Sequence, residues 1–380
     1  FIKSLDYSVV YGADIANISI TNNEICNART TVPILIDEAI DQGLIVISAA
    51  GNGESTGVLS PTIHETACGF NVLSVGALDA DGKIWTSDTF SNRDDYSSIG
   101  PVHDHRLKPE IVAPGANVYV HDLTDDFYSW HTGASHAAPF VSGASALLKE
   151  ANPGLSPLEL KTLLLLGANW DPQNEVPITV SGDSITASDY EDYVRNSDIY
   201  EMMNSYGFGT LNVDQSLDYA KFNHHIIRDT VSDGSNIGGY VFNARLSDFD
   251  DVHKVILSWN SQPIDSTVGD DLNIRDVDVS NLDFVITGPN GWTATSDSLN
   301  QNNEFVTFKV PYSGDYTVTV SGTEVDPLFI QNERFALAST ISFNVPSNTL
   351  PETKTHEGQV VIPYYDNQFW PRDIFLEGSD

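Results

Sequence analysis

The stretch SWHTGASHAAPFVSGASALL, residues 129–148, decides the reading of this chain. It sets Gly133, Ala134, Ser135 and His136 at the head of a run of small residues that reads as a helix from Ser135 to Ala151. A serine hydroxyl is a weak nucleophile at neutral pH. Chemistry at Ser135 therefore needs a base to take its proton and donors to hold the oxyanion formed on attack. Free backbone N–H groups at a helix start can serve as such donors. Gly133 and Ala134 leave room for a substrate backbone, and Ala137 and Ala138 let the helix lie close beneath the site. The same four residues also suit a serine that only caps its helix, so the surroundings must choose between the two.

Those surroundings are α/β. Residues 14–50 read as a strand (DIANISI), a helix (TVPILIDEAIDQG, ending at Gly43) and a continuous apolar strand (LIVISAA) of the kind buried in a parallel sheet. The chain then enters GNGESTG at the carboxyl end of that strand, where open α/β sheets build their sites. NVLSVGAL and KPEIVAPGANVYV read as further strands. Ser156, Pro157 and Glu159 form a capping box that opens a helix through Leu166. From Lys221 the pattern changes to strands of period two, among them HKVILSWNS, EFVTFKV and GDYTVTVSG, separated by turn residues. The expected organisation is an α/β part over residues 1–220, an all-β sandwich over 221–345, and a tail or start of a further module over 346–380.

Composition narrows the function. Lys plus Arg number 18 against 53 Asp plus Glu, a formal net charge of −35, which excludes a nucleic-acid role because neutralising phosphate needs basic surface. No apolar run reaches the length of a bilayer span. Cys26 and Cys68 are too few for a disulfide scaffold and wrongly spaced for zinc; they either pair in an oxidising compartment or stay as buried thiols.

Five segments, in order, carry a family resemblance. TGASHAAPFVSGASALLKEANPGLSP resembles the nucleophile segment of subtilisin-like serine peptidases, G-T-S-x-A-[AS]-P-x-V-[AS]-G followed by a helix and a Leu-Ser-Pro turn. KPEIVAPG is similar to the family's K-P-[DE]-[IV]-x-A-P-G, and VISAAGN to its A-A-G-N. ADIANISI resembles the strand that pairs with bound peptide, and YGFGTLNVDQSLDYA the closing segment of the same domain. The resemblance implies a subtilisin-like parallel-sheet sandwich, with Ser135 as nucleophile and the Asn52 side chain as oxyanion donor. It implies substrate walls at Ser19, Ile20 and Thr21 and at Ala49, Ala50 and Gly51, polypeptide substrates, and an extracellular or cell-surface setting. The family's threonine is replaced by Ala134, its usual methionine after the nucleophile by His136, and the final glycine of its strand by Thr21. WDPQNEVPITVSGDSITASDYEDYVRNSDIYEMM is an insertion before the closing segment, expected to form a surface lobe.

The family's aspartate motif, D-[ST]-G, and histidine motif, H-G-T-H, belong before ADIANISI, and neither occurs in these 380 residues. His136 is adjacent to Ser135 but adjacent residues at a helix start project in different directions. His103 and His105 flank Asp104 in a loop, and His64, His121, His131, His224, His225 and His253 show no ligand spacing. The expectation is that this chain is the larger product of a cleaved or incompletely represented peptidase, with the Asp and His supplied by an N-terminal fragment of the same precursor held non-covalently. The alternative is a catalytically inactive scaffold of the same fold, used for binding or surface assembly.

DDLNIRDVDVSNLDFVITGPNG and SGDYTVTVSG resemble the jelly-roll or pre-peptidase-like sandwich that follows the catalytic domain in some secreted members. In related domains, acidic loops such as that of Asp265, Asp270, Asp271, Asp276 and Asp278 bind structural calcium, while solvated turn residues fit the spacing equally. The serine chemistry itself requires no cofactor.

Overall fold

The computed structural model describes residues 1–20, 26, 28, 30–53, 62–84, 97–102, 104–122, 127–169, 185–186, 203–249, 251–261, 280–298, 301–325, 332–344, 364–365 and 371–372. Helix α1 (Ile2–Val10) leads into β1 (Ile15–Ile18), α2 (Thr31–Asp41), β2 (Ile45–Ala49), β3 (Leu73–Leu78) and β4 (Ile111–Pro114). The four strands form one parallel sheet in the order β1-β2-β3-β4, with Ile15 opposite Ile45, Ile47 opposite Leu73 and Val75 opposite Ile111. Their apolar runs follow from burial on both faces. On one face Leu5, Ile36 and Ile40 of α1 and α2 cover Ile18 and Val46. On the other, Ile47, Val75 and Ile111 meet Ala137, Val141 and Leu148 of α3 (Ala134–Ala151).

The sheet's two edges differ. Beside β4, Phe208 N donates to Glu110 O, Val112 N to Gly209 O and Leu211 N to Val112 O, so the closing segment covers that edge. At the opposite end β1 pairs only with β2 among the described residues. Large apolar side chains stand exposed on the helices to either side of it, Phe1 (49 %) and Ile2 (46 %) at α1, Phe140 (46 %) and Leu147 (44 %) on α3.

Beyond α3 lies α4 (Pro157–Gly167), which starts with the expected capping box: Glu159 N donates to Ser156 Oγ at 3.3 Å, and Ser156 N to Glu159 Oε2 at 2.6 Å. A last helix, α5 (Val213–Lys221), precedes the all-β part. Strands β5 (Val118–Asp122) and β6 (Phe127–His131) pair as an antiparallel hairpin leading into α3. The strand expected in NVYV is thus half of a hairpin whose second half alternates Tyr128 and Trp130 with Ser129 and His131.

Two antiparallel sheets follow. One has the order β7-β13-β10-β15-β8, from Ile185–Thr186, Asn303–Lys309, Val252–Trp259, Glu333–Ser339 and Ile226–Val231. The other has β12-β11-β14-β9, from Thr293–Ser296, Asn281–Thr287, Gly314–Glu324 and Asn236–Ala244. They share a core that includes Phe242, Trp259, Phe284, Phe308 and Tyr316. The outer face of the five-stranded sheet packs through Ile256, Phe305, Ala336 and Ala338 onto α4 and α5, continuous with the core of the parallel sheet. β7 lies in the insertion read as a surface lobe; Thr186 instead pairs with Val306, adding an edge strand, and the rest of that insertion up to residue 202 falls outside the described residues. In the tail, only the short pair Tyr364–Tyr365 and Pro371–Arg372 is described.

A buried charge triad locks this layering. Glu110 Oε1 takes the Lys108 ammonium at 2.6 Å and the Lys161 ammonium at 2.9 Å, and Glu110 Oε2 accepts from Ser74 N at 2.7 Å. Burial alone would raise the Glu110 carboxyl, but the two ammonium groups outweigh it and hold it below the ordinary value near 4.5. Glu110→Gln should cost about 3–5 kcal/mol in denaturant unfolding at neutral pH, because it leaves two ammonium groups buried without their counter-ion. A depressed carboxyl contributes stability above its unfolded pKa and loses it as pH falls toward the folded value. The wild type should therefore lose this contribution below about pH 4.5, while the variant's unfolding curve should lack that step.

Candidate active site

Strand β2 delivers the chain to the site. After Ala49, the main chain is held at each residue: Ala50 N donates to Val75 O (2.8 Å), His64 N to Ala50 O (2.9 Å) and Ser98 N to Gly51 O (2.9 Å). Gly53 N donates to Ser98 Oγ at 3.0 Å. Gly51 is required there, with φ +118° and the His64 ring filling the space a Cβ would occupy. Asn52 thus stands exposed on a fixed backbone.

Its side chain reaches the start of α3. Asn52 Oδ1 accepts from Ala134 N at 2.8 Å, taking one of the helix N–H groups that lack an intrahelical acceptor. This bond orients the amide, turning Nδ2 toward Gly133, where a Cβ would lie 2.9 Å from it. Gly133 has φ +151° and is anchored by its own N–H to Gly115 O at 2.9 Å. Ser135 follows in the first helical turn, half-buried, and among the described residues its hydroxyl has no hydrogen-bond partner. The amide donor and the serine expected as nucleophile are therefore brought together across 82 residues of sequence.

The candidate wall residues divide. Ser19 Oγ donates to Ser135 O at 2.8 Å and accepts from Asn17 Nδ2 at 2.9 Å, while Asn17 Oδ1 takes the Ser142 hydroxyl at 2.9 Å. These bonds stitch β1 to α3. They are specific to hydroxyl and amide positions that strand periodicity does not reveal. Ile20 is exposed beside them, and Thr21 falls outside the described residues. Ala49 and Ala50 have fully buried methyl groups, so with Gly51 they can face a substrate only through main chain.

His136 stacks on His131 with ring centroids 5.5 Å apart, and His131 Nε2 lies 2.7 Å from Ser129 Oγ. Burial lowers the His136 pKa and the neighbouring His131 pushes the same way, so the ring is neutral at neutral pH. Asp104 is engaged by Arg106 Nε at 2.9 Å, and His103 falls outside the described residues. Among the described residues no three His, Cys, Asp or Glu are grouped to hold a metal ion. The loop of Asp265, Asp270, Asp271, Asp276 and Asp278 lies outside them. No described helix is long and apolar enough to cross a membrane.

The family model described as the Subtilase family matches residues 1–209. The chain belongs to the subtilase family. Its α/β part has the subtilisin-like fold. The subtilase region is 34 % identical over 159 residues to serine protease AprX of Bacillus subtilis (strain 168), covering 37 % of this chain and 34 % of that protein. It is 29 % identical over 163 residues to subtilisin DY of Bacillus licheniformis, covering 43 % of this chain and 52 % of the relative. The chain thus spans between a third and about half the length of these relatives. Among solved structures, the patellamide maturation protease PatA is similar over 58 % of this chain and 67 % of its own, at 22 % identity and a TM-score of 0.41.

In this subtilase, Gly133→Ala should cost about 1–3 kcal/mol in denaturant unfolding, from the strained φ and the collision with Asn52. Hydrogen exchange at the Ala134 amide should quicken as its acceptor is displaced. Gly143→Ala, where nothing lies within 4 Å of the added methyl, should leave both unchanged or stabilise the helix by about 0.5–1 kcal/mol.

Proposed function

We propose that this chain carries the nucleophile and oxyanion-binding part of an extracellular serine endopeptidase. The observation that supports the reading is the Asn52–Ala134 bond, which holds the Asn52 side chain against the helix start that carries Ser135. Ser135 Oγ attacks the peptide carbonyl and gives its proton to a base. The oxyanion is held by Asn52 Nδ2 and the Ser135 N–H, the amine leaves with the proton, and water hydrolyses the acyl ester. No step calls for a cofactor. A scaffold used only for binding has no physical need of both nucleophile and donor.

The base and its aspartate belong to polypeptide outside these 380 residues. The outer edge of β1, unpaired among the described residues, supports this, since a parallel strand with an unpaired edge in water is costly. So do Phe1 and Ile2 on one side of that edge and Phe140 and Leu147 on the other, which leave apolar area exposed where a further strand and helices would bury it. The two antiparallel sheets are read as the jelly-roll or pre-peptidase-like module of secreted subtilases, and the −35 net charge suits an extracellular protein.

Co-expression with the coding segment upstream of Phe1, followed by a fluorophosphonate probe, tests the reading. Labelling is expected at Ser135 and abolished in Ser135→Ala; an unlabelled wild type with the segment bound leaves the inactive scaffold. Asn52→Ala should lower turnover by about 10²–10³, the loss known for the corresponding donor of subtilisin, with little change in KM. Leu147→Asp, which places a charge in the expected contact, should weaken capture of the upstream segment at least about tenfold in a pull-down titration, a loss of about 1.4 kcal/mol or more. Undiminished capture would count against that surface.

A further inference from the structure

Cys26 and Cys68 are free thiols, 1 % and 0 % exposed. They share a small cluster with Ala50, Ile63, Phe70 and Val102, behind the loop that carries Asn52. Both side chains are packed into this one cluster, close enough that each thiol acts on the other. The backbone on the Cys68 side is fixed: its carbonyl accepts from Arg106 Nη2 at 2.8 Å, and that guanidinium lies 3.8 Å above the Phe70 ring. The two segments already meet twice more, Thr66 Oγ1 donating to Ile20 O at 3.4 Å and Thr30 Oγ1 to Glu65 Oε1. Neither thiol has a part in the serine chemistry.

We propose that Cys26 and Cys68 form a covalent cross-linking site that takes an intramolecular disulfide by exchange with a small-molecule disulfide. One thiolate attacks a sulfur of the reagent, releasing a thiol and leaving a mixed disulfide. The second thiolate then attacks the protein sulfur of that mixed disulfide, forming the Cys26–Cys68 bond and releasing a second thiol. Two protein thiols are oxidised, one reagent disulfide is reduced to two thiols, and the two protons leave with them. A disulfide needs a sulfur separation of about 2.05 Å, and the two thiols start from within one small cluster.

Timing follows from burial. Desolvation pushes the Cys68 thiol well up, and the adjoining Cys26 pushes it further, so the closed cluster holds little thiolate and admits no reagent. Exchange therefore belongs to the folding chain, before Phe70 and Ile63 close over the pair. Once made, the bond ties the segment that follows Ser19 and Ile20 to the turn whose His64 ring covers Gly51. The cross-link braces the segment after Ser19 and Ile20 against the loop that carries Asn52, whether or not Ser135 is active.

The full chain should be refolded in a mixture of reduced and oxidised glutathione, denatured with an alkylating reagent, and weighed by intact mass spectrometry. No alkyl group is expected before reduction and two after it. Both cysteines alkylated without reduction would overturn the proposal. In thermal unfolding, reductant should lower the Tm of the refolded wild type by roughly 5–10 °C and leave Cys26→Ser/Cys68→Ser unmoved. An equal shift in both proteins would also overturn it, and because neither measurement uses catalysis, both stand apart from the fate of the peptidase reading.

Discussion

A parallel strand must be covered on two faces and satisfied along two edges, and the α/β half of this protein is arranged around that demand. Helices α1 and α2 close one face, α3 to α5 the other, and the 208–211 segment closes the β4 edge. The β1 edge alone stays open among the described residues. The consequence reaches the site directly. Helix α3 packs across the sheet from β1 to β4, and its first turn is pinned by Asn52 from the end of β2 and by Ser19 from the end of β1. The position of Ser135 is thus set by the sheet, so the packing of β1 and β2 and the geometry around the Ser135 hydroxyl are one problem.

Much of this was legible in the residues. Runs such as LIVISAA announce strands with both faces buried, and Ser156-Pro157-Leu158-Glu159 announces a helix start whose reciprocal bonds form as expected. The meeting of Asn52 with the head of α3 was legible only through the family pattern, because nothing local in either segment encodes a contact 82 residues away. Other features had no usable signal. The hairpin strand at Phe127–His131 alternates aromatic with polar residues, yet Tyr119, Tyr128 and Trp130 all stand exposed, so periodicity does not report a core there. Ile185–Thr186 joins a sheet from within a polar, acidic stretch by backbone pairing with Val306 and Thr307.

The junction between the α/β layers and the antiparallel sheets explains a puzzle in α4. Its run Leu163 to Leu166 has apolar residues on every side, where an amphipathic surface helix would show one stripe. All four leucines are buried, because α4 lies between the helical layer on the parallel sheet and the outer face of the five-stranded sheet. Lys254 from that sheet donates to Leu165 O, Ala168 O and Phe208 O at the last turn of α4, and burial draws its pKa down to about 7. Asn71 and Ser261 exchange two further bonds across the same boundary, 2.9 and 2.8 Å long. The all-β part is therefore fused to the subtilase core by shared packing and by main-chain bonds, unlike a module on a flexible linker.

The same junction changes what the composition means. With 18 cationic side chains against 53 carboxylates, an obvious expectation is that the few lysines and arginines sit among surface acids. Arg106, Lys108, Lys161 and Lys254 are instead buried, paired with Glu110, Asp104 and main-chain carbonyls between the layers. Asp37, Glu65, Glu110, Glu159, Glu304 and Glu333 are buried as well. The interior therefore holds charges of both signs, and mutual repulsion on the acidic exterior is relieved by dissolved ions, whose screening at 0.1 M already acts over about 10 Å. The interior ion pairs are shielded from that same salt, so ionic strength and the integrity of the layered core act on this fold through separate sets of charges.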